Sequence, residues 1–77
     1  MTIKELDEKI SIIKNKALYF KKQNLPVHIT KKNRWFHNGK ILEIEGDMLI
    51  LDDLKKKAMP IYFIEIEEIE KMEGWNG

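Results

Sequence analysis

With 77 residues, no cysteine and a formal net charge of +1, the chain is one small domain near the lower size at which a single apolar core holds unaided. Disulfides, thiolate metal sites and cysteine nucleophiles are excluded. It has neither an N-terminal apolar run of signal-peptide length nor about 18 uncharged apolar residues in succession, so a soluble, cytoplasmic protein without a membrane-spanning helix is expected. The near-zero charge hides a polarity: residues 1–40 hold ten Lys or Arg against three Asp or Glu, and residues 41–77 hold four against ten. Such halves can neutralise one another within one globule, attract a polyanion at one surface, or attract further copies head to tail.

In chain order, Thr2-Ile3-Lys4-Glu5 has the form of a capping box and starts a helix. Ile3, Leu6, Ile10, Ile13, Ala17 and Phe20 then recur at steps of three and four, one apolar stripe that packs on the rest of the domain, while Ile12 and Tyr19 form a second stripe open to a partner. Asn24 and Pro26 end the helix, Pro26 restricting Leu25 to extended conformations. From Val27 the apolar period changes to two. Strands are predicted over 27–30, Trp35–Glu45, Asp47–Asp52, Met59–Glu65 and Glu68–Met72, separated by polar or glycine-containing breaks and, at the last junction, by a turn near Ile66-Glu67.

Asn38-Gly39 admits two readings. As a hairpin tip it would form a type I′ turn. As a bend inside a long strand, Gly39 would supply the missing side chain that a barrel corner needs. Lys31-Lys32-Asn33-Arg34 makes a better-placed turn, so the bend is preferred. The prediction is a single mainly β domain over 1–77: an N-terminal helix over 1–24, a small, strongly bent, five-stranded antiparallel barrel of Sm-like or SH3-like form over 26–72, and a loose tail over 73–77 whose Trp75 can fold back on the domain surface.

On these residues the chain resembles the Sm/Lsm family, which includes bacterial Hfq. "VHITKKNRWFHNGKILEIEGDMLILDD" is similar to its first block, with Gly39 at the bend glycine and Met48–Asp52 at the third strand. "MPIYFIEIEEIEKM" resembles the second block. The resemblance implies a bent five-stranded fold after a helix, binding of single-stranded RNA, and subunits joined through strand four into a homo-oligomer, in the family a ring. It also departs from the pattern. Met48 stands where the family places a uridine-contacting Asn, Ile64-Glu65 where Sm proteins carry Arg-Gly, and Tyr62-Phe63-Ile64 near Hfq's Tyr-Lys-His. The family's usual RNA pocket is therefore not expected intact.

The candidate site is the segment from Lys31 to Lys40, where cations for phosphates alternate with rings on which unpaired bases stack. Lys31, Lys32, Arg34 and Lys40 are the phosphate contacts, with Trp35 or His37 as the stacking platform. Strand alternation places Trp35 and His37 on one face and Phe36 on the other. The plainer alternative has Phe36 filling the core, Trp35 covering it and the lysines solvated. Lys55-Lys56-Lys57 reads as a charged loop or a second phosphate contact. Asp52-Asp53 reads as a solvated turn, and Glu65, Glu67, Glu68, Glu70 and Glu73 as the exposed side of the last strand. His28 and His37 lack metal-motif spacing, and no nucleophile, base and orienting group come together, so no metal, cofactor or catalytic residue is assigned. Ile61, Tyr62, Phe63 and Ile64, apolar on both faces of an edge strand, are the candidates for self-association. The expected function is a noncatalytic, oligomeric RNA-binding module. The alternative is a protein-interaction or assembly module of the same fold that has lost its RNA pocket.

Overall fold

The structure is a computed structural model that describes residues 2–73; the tail from Gly74 on, with Trp75, lies outside the described residues. Helix α1 (Ile3–Lys22) starts at Thr2, whose Oγ1 accepts from the Glu5 backbone N–H at 3.2 Å. It ends where Asn24 takes a positive φ of 55° and the Leu25 N–H donates to the Phe20 carbonyl, a left-handed cap that satisfies an otherwise orphaned acceptor. Among the described residues no helix is long and apolar enough to cross a membrane.

The predicted stripe docks only in its second half. Ile13 and Ala17 are buried and Ile10 and Phe20 pack beside them, whereas Ile3 is exposed. Ile12 and Tyr19 are also exposed. Removing the buried branch in Ile13→Ala is expected to cost about 2–5 kcal/mol and to lower the thermal midpoint by about 4–8 °C for each kcal/mol. An unchanged melting curve would contradict a docked helix.

Five strands follow: β1 (Pro26–Lys31), β2 (Phe36–Glu45), β3 (Met48–Asp53), β4 (Lys57–Tyr62) and β5 (Ile66–Lys71), with a 3-10 turn at Phe63–Glu65 between the last two. All pairings are antiparallel in the order β4-β3-β2-β1-β5. The sheet is thus bent but not closed, and β4 and β5 are its free edges. Val27, Ile29, Ile41, Leu49, Leu51, Ile61, Ile66 and Ile69 alternate onto the inner face, where they join Phe63 and the docked half of α1.

Asn38-Gly39 is not a hairpin tip. The chain reverses over Lys31–Trp35, where the Lys31 N–H donates to the Trp35 carbonyl and Arg34 adopts φ 71°. Gly39 lies within β2 and is paired on both sides, with Val27 of β1 and Asp53 of β3. A Cβ at this position would stand 2.1 Å from the Asp52 carbonyl oxygen. Glycine is required there because two strands close on one residue as β2 passes from one half of the sheet to the other. A bulge at Leu42 adds to the curvature.

Three strand boundaries differ from expectation by two residues or more, the first being the start of β4 at Lys57 rather than Met59. β4 stops at Tyr62 rather than Glu65, and β5 begins at Ile66 rather than Glu68. The break falls at Phe63–Glu65 because the Glu65 carboxylate accepts from the Tyr62 N–H and the Phe63 N–H donates to the Asp47 carbonyl. Phe63 still reaches the core from the turn, so the apolar pattern runs through the break without marking it. Glu65 is accordingly a half-buried capping residue rather than part of an exposed strand face.

The charge polarity is partly satisfied within the chain. Lys9 pairs with Glu67 at 3.0 Å and Lys31 with Glu65 at 3.9 Å, each joining a lysine of the basic half to a glutamate of the acidic half.

Candidate nucleic-acid interface

The start of β2 and the loop after β3 lie side by side because the two strands are antiparallel. Their junction forms a groove of about 240 Å³ lined by Trp35, His37, Leu54, Lys55 and Lys56, with Phe36, Asn38 and Asp53 completing it. Trp35 is 69% exposed, so its indole offers a flat face to solvent beside two lysines. Phe36 is exposed too and lies against the His28 ring on the other face of the sheet, with centroids 5.3 Å apart. It does not fill the core. The alternation expected along the strand holds for Phe36 and His37, whereas Trp35 precedes β2 and Phe36 still borders the groove.

The groove wall is held by Asp53, which is buried and belongs to β3 rather than to a solvated turn; only Asp52 is exposed as foreseen. One carboxylate oxygen of Asp53 accepts the backbone N–H groups of Lys55 and Lys56 at 2.8 and 3.0 Å. The other lies 3.3 Å from Nδ1 of His37. Burial opposes ionisation of this carboxyl. The two backbone N–H bonds and the adjacent imidazole outweigh that penalty and hold its pKa below the usual carboxylate value of 3.8.

A folded-state pKa below the unfolded one means that Asp53 contributes its full stabilisation above the unfolded value. That contribution is lost as pH falls through the folded one. Denaturant unfolding followed from about pH 5 to 2 should therefore show a shallower acid loss in Asp53→Asn than in the parent protein. Equal slopes would contradict this role.

The six sequence-predicted contact residues are not gathered at one place. Trp35 and His37 line the groove, and Arg34 is exposed in the turn that leads into it. Lys31 and Lys32 border a separate hollow with Asn33, Ile64 and Glu65, where the Lys31 ammonium is already near a carboxylate. Lys40 is half-buried across from Asp52, on the other side of the sheet from His37. Lys55 and Lys56, read from sequence only as a secondary contact, take their place at the groove.

Leu54 and Asp53 were not foreseen as site residues. The available signal was the spacing Asp-x-Lys-Lys, since an Asp side chain readily accepts N–H groups two and three residues on.

Of the four residues proposed for self-association, Tyr62 and Ile64 are exposed, each at 52%. Ile61 and Phe63 are spent in the core and offer no side chain to a partner. Among the described residues no group of three or more His, Asp or Glu side chains is placed to hold a metal ion. No protein-family model matches the chain, and no curated protein matches it by sequence.

Proposed function

We propose that this chain is a noncatalytic, cytoplasmic module of Sm-like form that binds single-stranded RNA in the groove between the start of β2 and the β3–β4 loop. The observation that carries the reading is the placing of an exposed indole, Trp35, beside Lys55 and Lys56 in one groove. Stacking on a ring suits an unpaired base, and neighbouring ammonium groups suit the phosphates on either side of it. The position of the groove also fits the departures from the family pattern. Where the resembled family binds RNA, this chain has Met48, Ile64 and Glu65, and Glu65 is committed to Lys31 and to the Tyr62 N–H.

Affinity for a short single-stranded RNA measured against salt tests the reading. Phosphate contacts from Arg34, Lys55 and Lys56 imply a loss of about 20-fold between about 50 and 200 mM salt, from a slope of about −0.7 per contact on a single strand. Affinity that does not change with salt, or no binding at low salt, would refute it.

A second reading, an assembly module without RNA, is favoured by the open sheet, whose β4 edge leads into the exposed Tyr62 and Ile64. An unpaired edge with apolar side chains beside it pairs readily with another chain. Pro60 lies within β4 and takes one backbone donor from that strand. Light scattering on the purified protein should give a multiple of 9.2 kDa. Tyr62→Glu with Ile64→Glu should return it to the single-chain mass. A parent protein that is already monomeric would remove the self-association proposal while leaving RNA binding to its own test.

A further inference from the structure

Resting on the RNA-binding reading above, we propose that His37 is a specificity residue: its Nε2 accepts a hydrogen bond from a donor on the bound nucleotide, and Asp53 is the positioning residue that makes it an acceptor. The donor is either the ribose 2′-OH or the imino N–H of uracil or guanine, which share the chemistry that an sp² nitrogen lone pair recognises.

The geometry fixes the tautomer. Asp53 accepts the Lys55 and Lys56 N–H groups through Oδ1 and faces His37 Nδ1 through Oδ2 at 3.3 Å. A carboxylate only accepts, so in the neutral imidazole the proton sits on Nδ1 and the lone pair on Nε2. His37 lines the groove, and no described residue forms a hydrogen bond with its Nε2. A half-buried acceptor with no partner among the described residues favours a ligand that brings a donor and disfavours one that brings a second lone pair.

Cytosine and adenine present a ring-nitrogen lone pair where uracil and guanine present N–H, and deoxyribose lacks the hydroxyl. The two backbone bonds to Oδ1 also determine what Asp53→Asn does. With Oδ1 retained on the loop, the amide nitrogen must take the place of Oδ2 and donate to Nδ1. That drives the proton to Nε2 and turns the groove-facing acceptor into a donor.

The test compares dissociation constants for short oligomers of uridine, cytidine and deoxyuridine at about pH 8, above the ordinary histidine range, with guanosine and adenosine oligomers as the purine pair. If the imino group is read, the parent protein prefers uridine to cytidine and guanosine to adenosine by about tenfold. If the hydroxyl is read, it prefers uridine to deoxyuridine by the same factor. His37→Phe keeps a ring and should abolish the preference. Asp53→Asn should reverse it for the imino pairs and retain it for the hydroxyl, since a hydroxyl also accepts; for the hydroxyl the loss of preference in His37→Phe carries the test. A loss of fold at the loop would instead weaken all ligands together and leave the imino preference unreversed.

Nitrogen-15 chemical shifts of His37 in the unliganded parent protein read the tautomer without any variant, and protonated Nδ1 with bare Nε2 is the expected state. RNA bound without either preference, or a proton found on Nε2, would overturn this inference and leave RNA binding standing. No binding of any oligomer would overturn both.

Discussion

Gly39→Ala is expected to be among the most damaging single substitutions in the chain. The added Cβ would lie 2.1 Å from the Asp52 carbonyl oxygen and 2.8 Å from its carbon. Both are backbone atoms of a paired strand, so no rotamer change relieves the contact. Overpacking of this kind costs about 3 kcal/mol or more when neighbours cannot move. A domain of this length has only about 4–12 kcal/mol in total, and the thermal midpoint should fall by roughly 12–24 °C. Gly46→Ala is the control. Gly46 has φ 52° with nothing within 4 Å of the place an added methyl group would take, so its cost is the conformational one of about 1 kcal/mol. If the two variants melt alike, β2 is not squeezed between β1 and β3 at Gly39, and the bent sheet is wrong at its centre.

The second large effect is on binding. Trp35→Ala removes the exposed indole from the groove while leaving the core, to which it contributes nothing, intact. Base stacking on an aromatic side chain is worth about 1–3 kcal/mol, so RNA affinity should drop by about 5- to 150-fold with little change in melting temperature. Lys55→Ala with Lys56→Ala should act differently. Both backbone N–H groups that bind Asp53 remain, so the loop keeps its shape, and the effect should be a smaller loss of affinity with a salt slope reduced by about 1.4 for two phosphate contacts. Trp35→Ala should leave the slope unchanged. The pair of variants thus separates stacking from charge, and a Trp35→Ala protein that binds RNA as well as its parent would exclude the groove.

How far the fold could be read from sequence depended on whether its determinants were local. The helix start at Thr2, its end at Asn24 and the reversal at Lys31–Arg34 depend on side chains within a few residues, and all were legible. Gly39 was legible because a better turn lay close by, which left the glycine inside a strand. The break at Phe63–Glu65 was hidden: Phe63 is as well buried in a 3-10 turn as it would be in a strand, and the Glu65 carboxylate that caps the turn looks like any other exposed acid.

The site was less legible than the fold. Strand alternation predicts that Trp35 and His37 lie together, but their meeting with Lys55 and Lys56 follows from the β2–β3 register, which pairs Gly39 with Asp53. The bulge at Leu42 shifts that register, and a simple count from the Gly46 hairpin misses it. Asp53 was misread for the same reason. Burial of a carboxylate is tolerated only where partners surround it, and one of those partners, His37, is brought to it by this long-range pairing. Lys31, Lys32 and Lys40 were grouped with Trp35 because they are near it in sequence, whereas the turn and the strand carry them to other surfaces.

The most direct measurement is the fluorescence of Trp35 in a Trp75→Phe background, in which it is the single tryptophan, during titration with a short single-stranded RNA. If the groove is the interface, the emission changes to saturation at the RNA concentrations that give binding, and added salt reverses the change. Binding detected by another method with no change in Trp35 emission would show that RNA lies elsewhere on the protein.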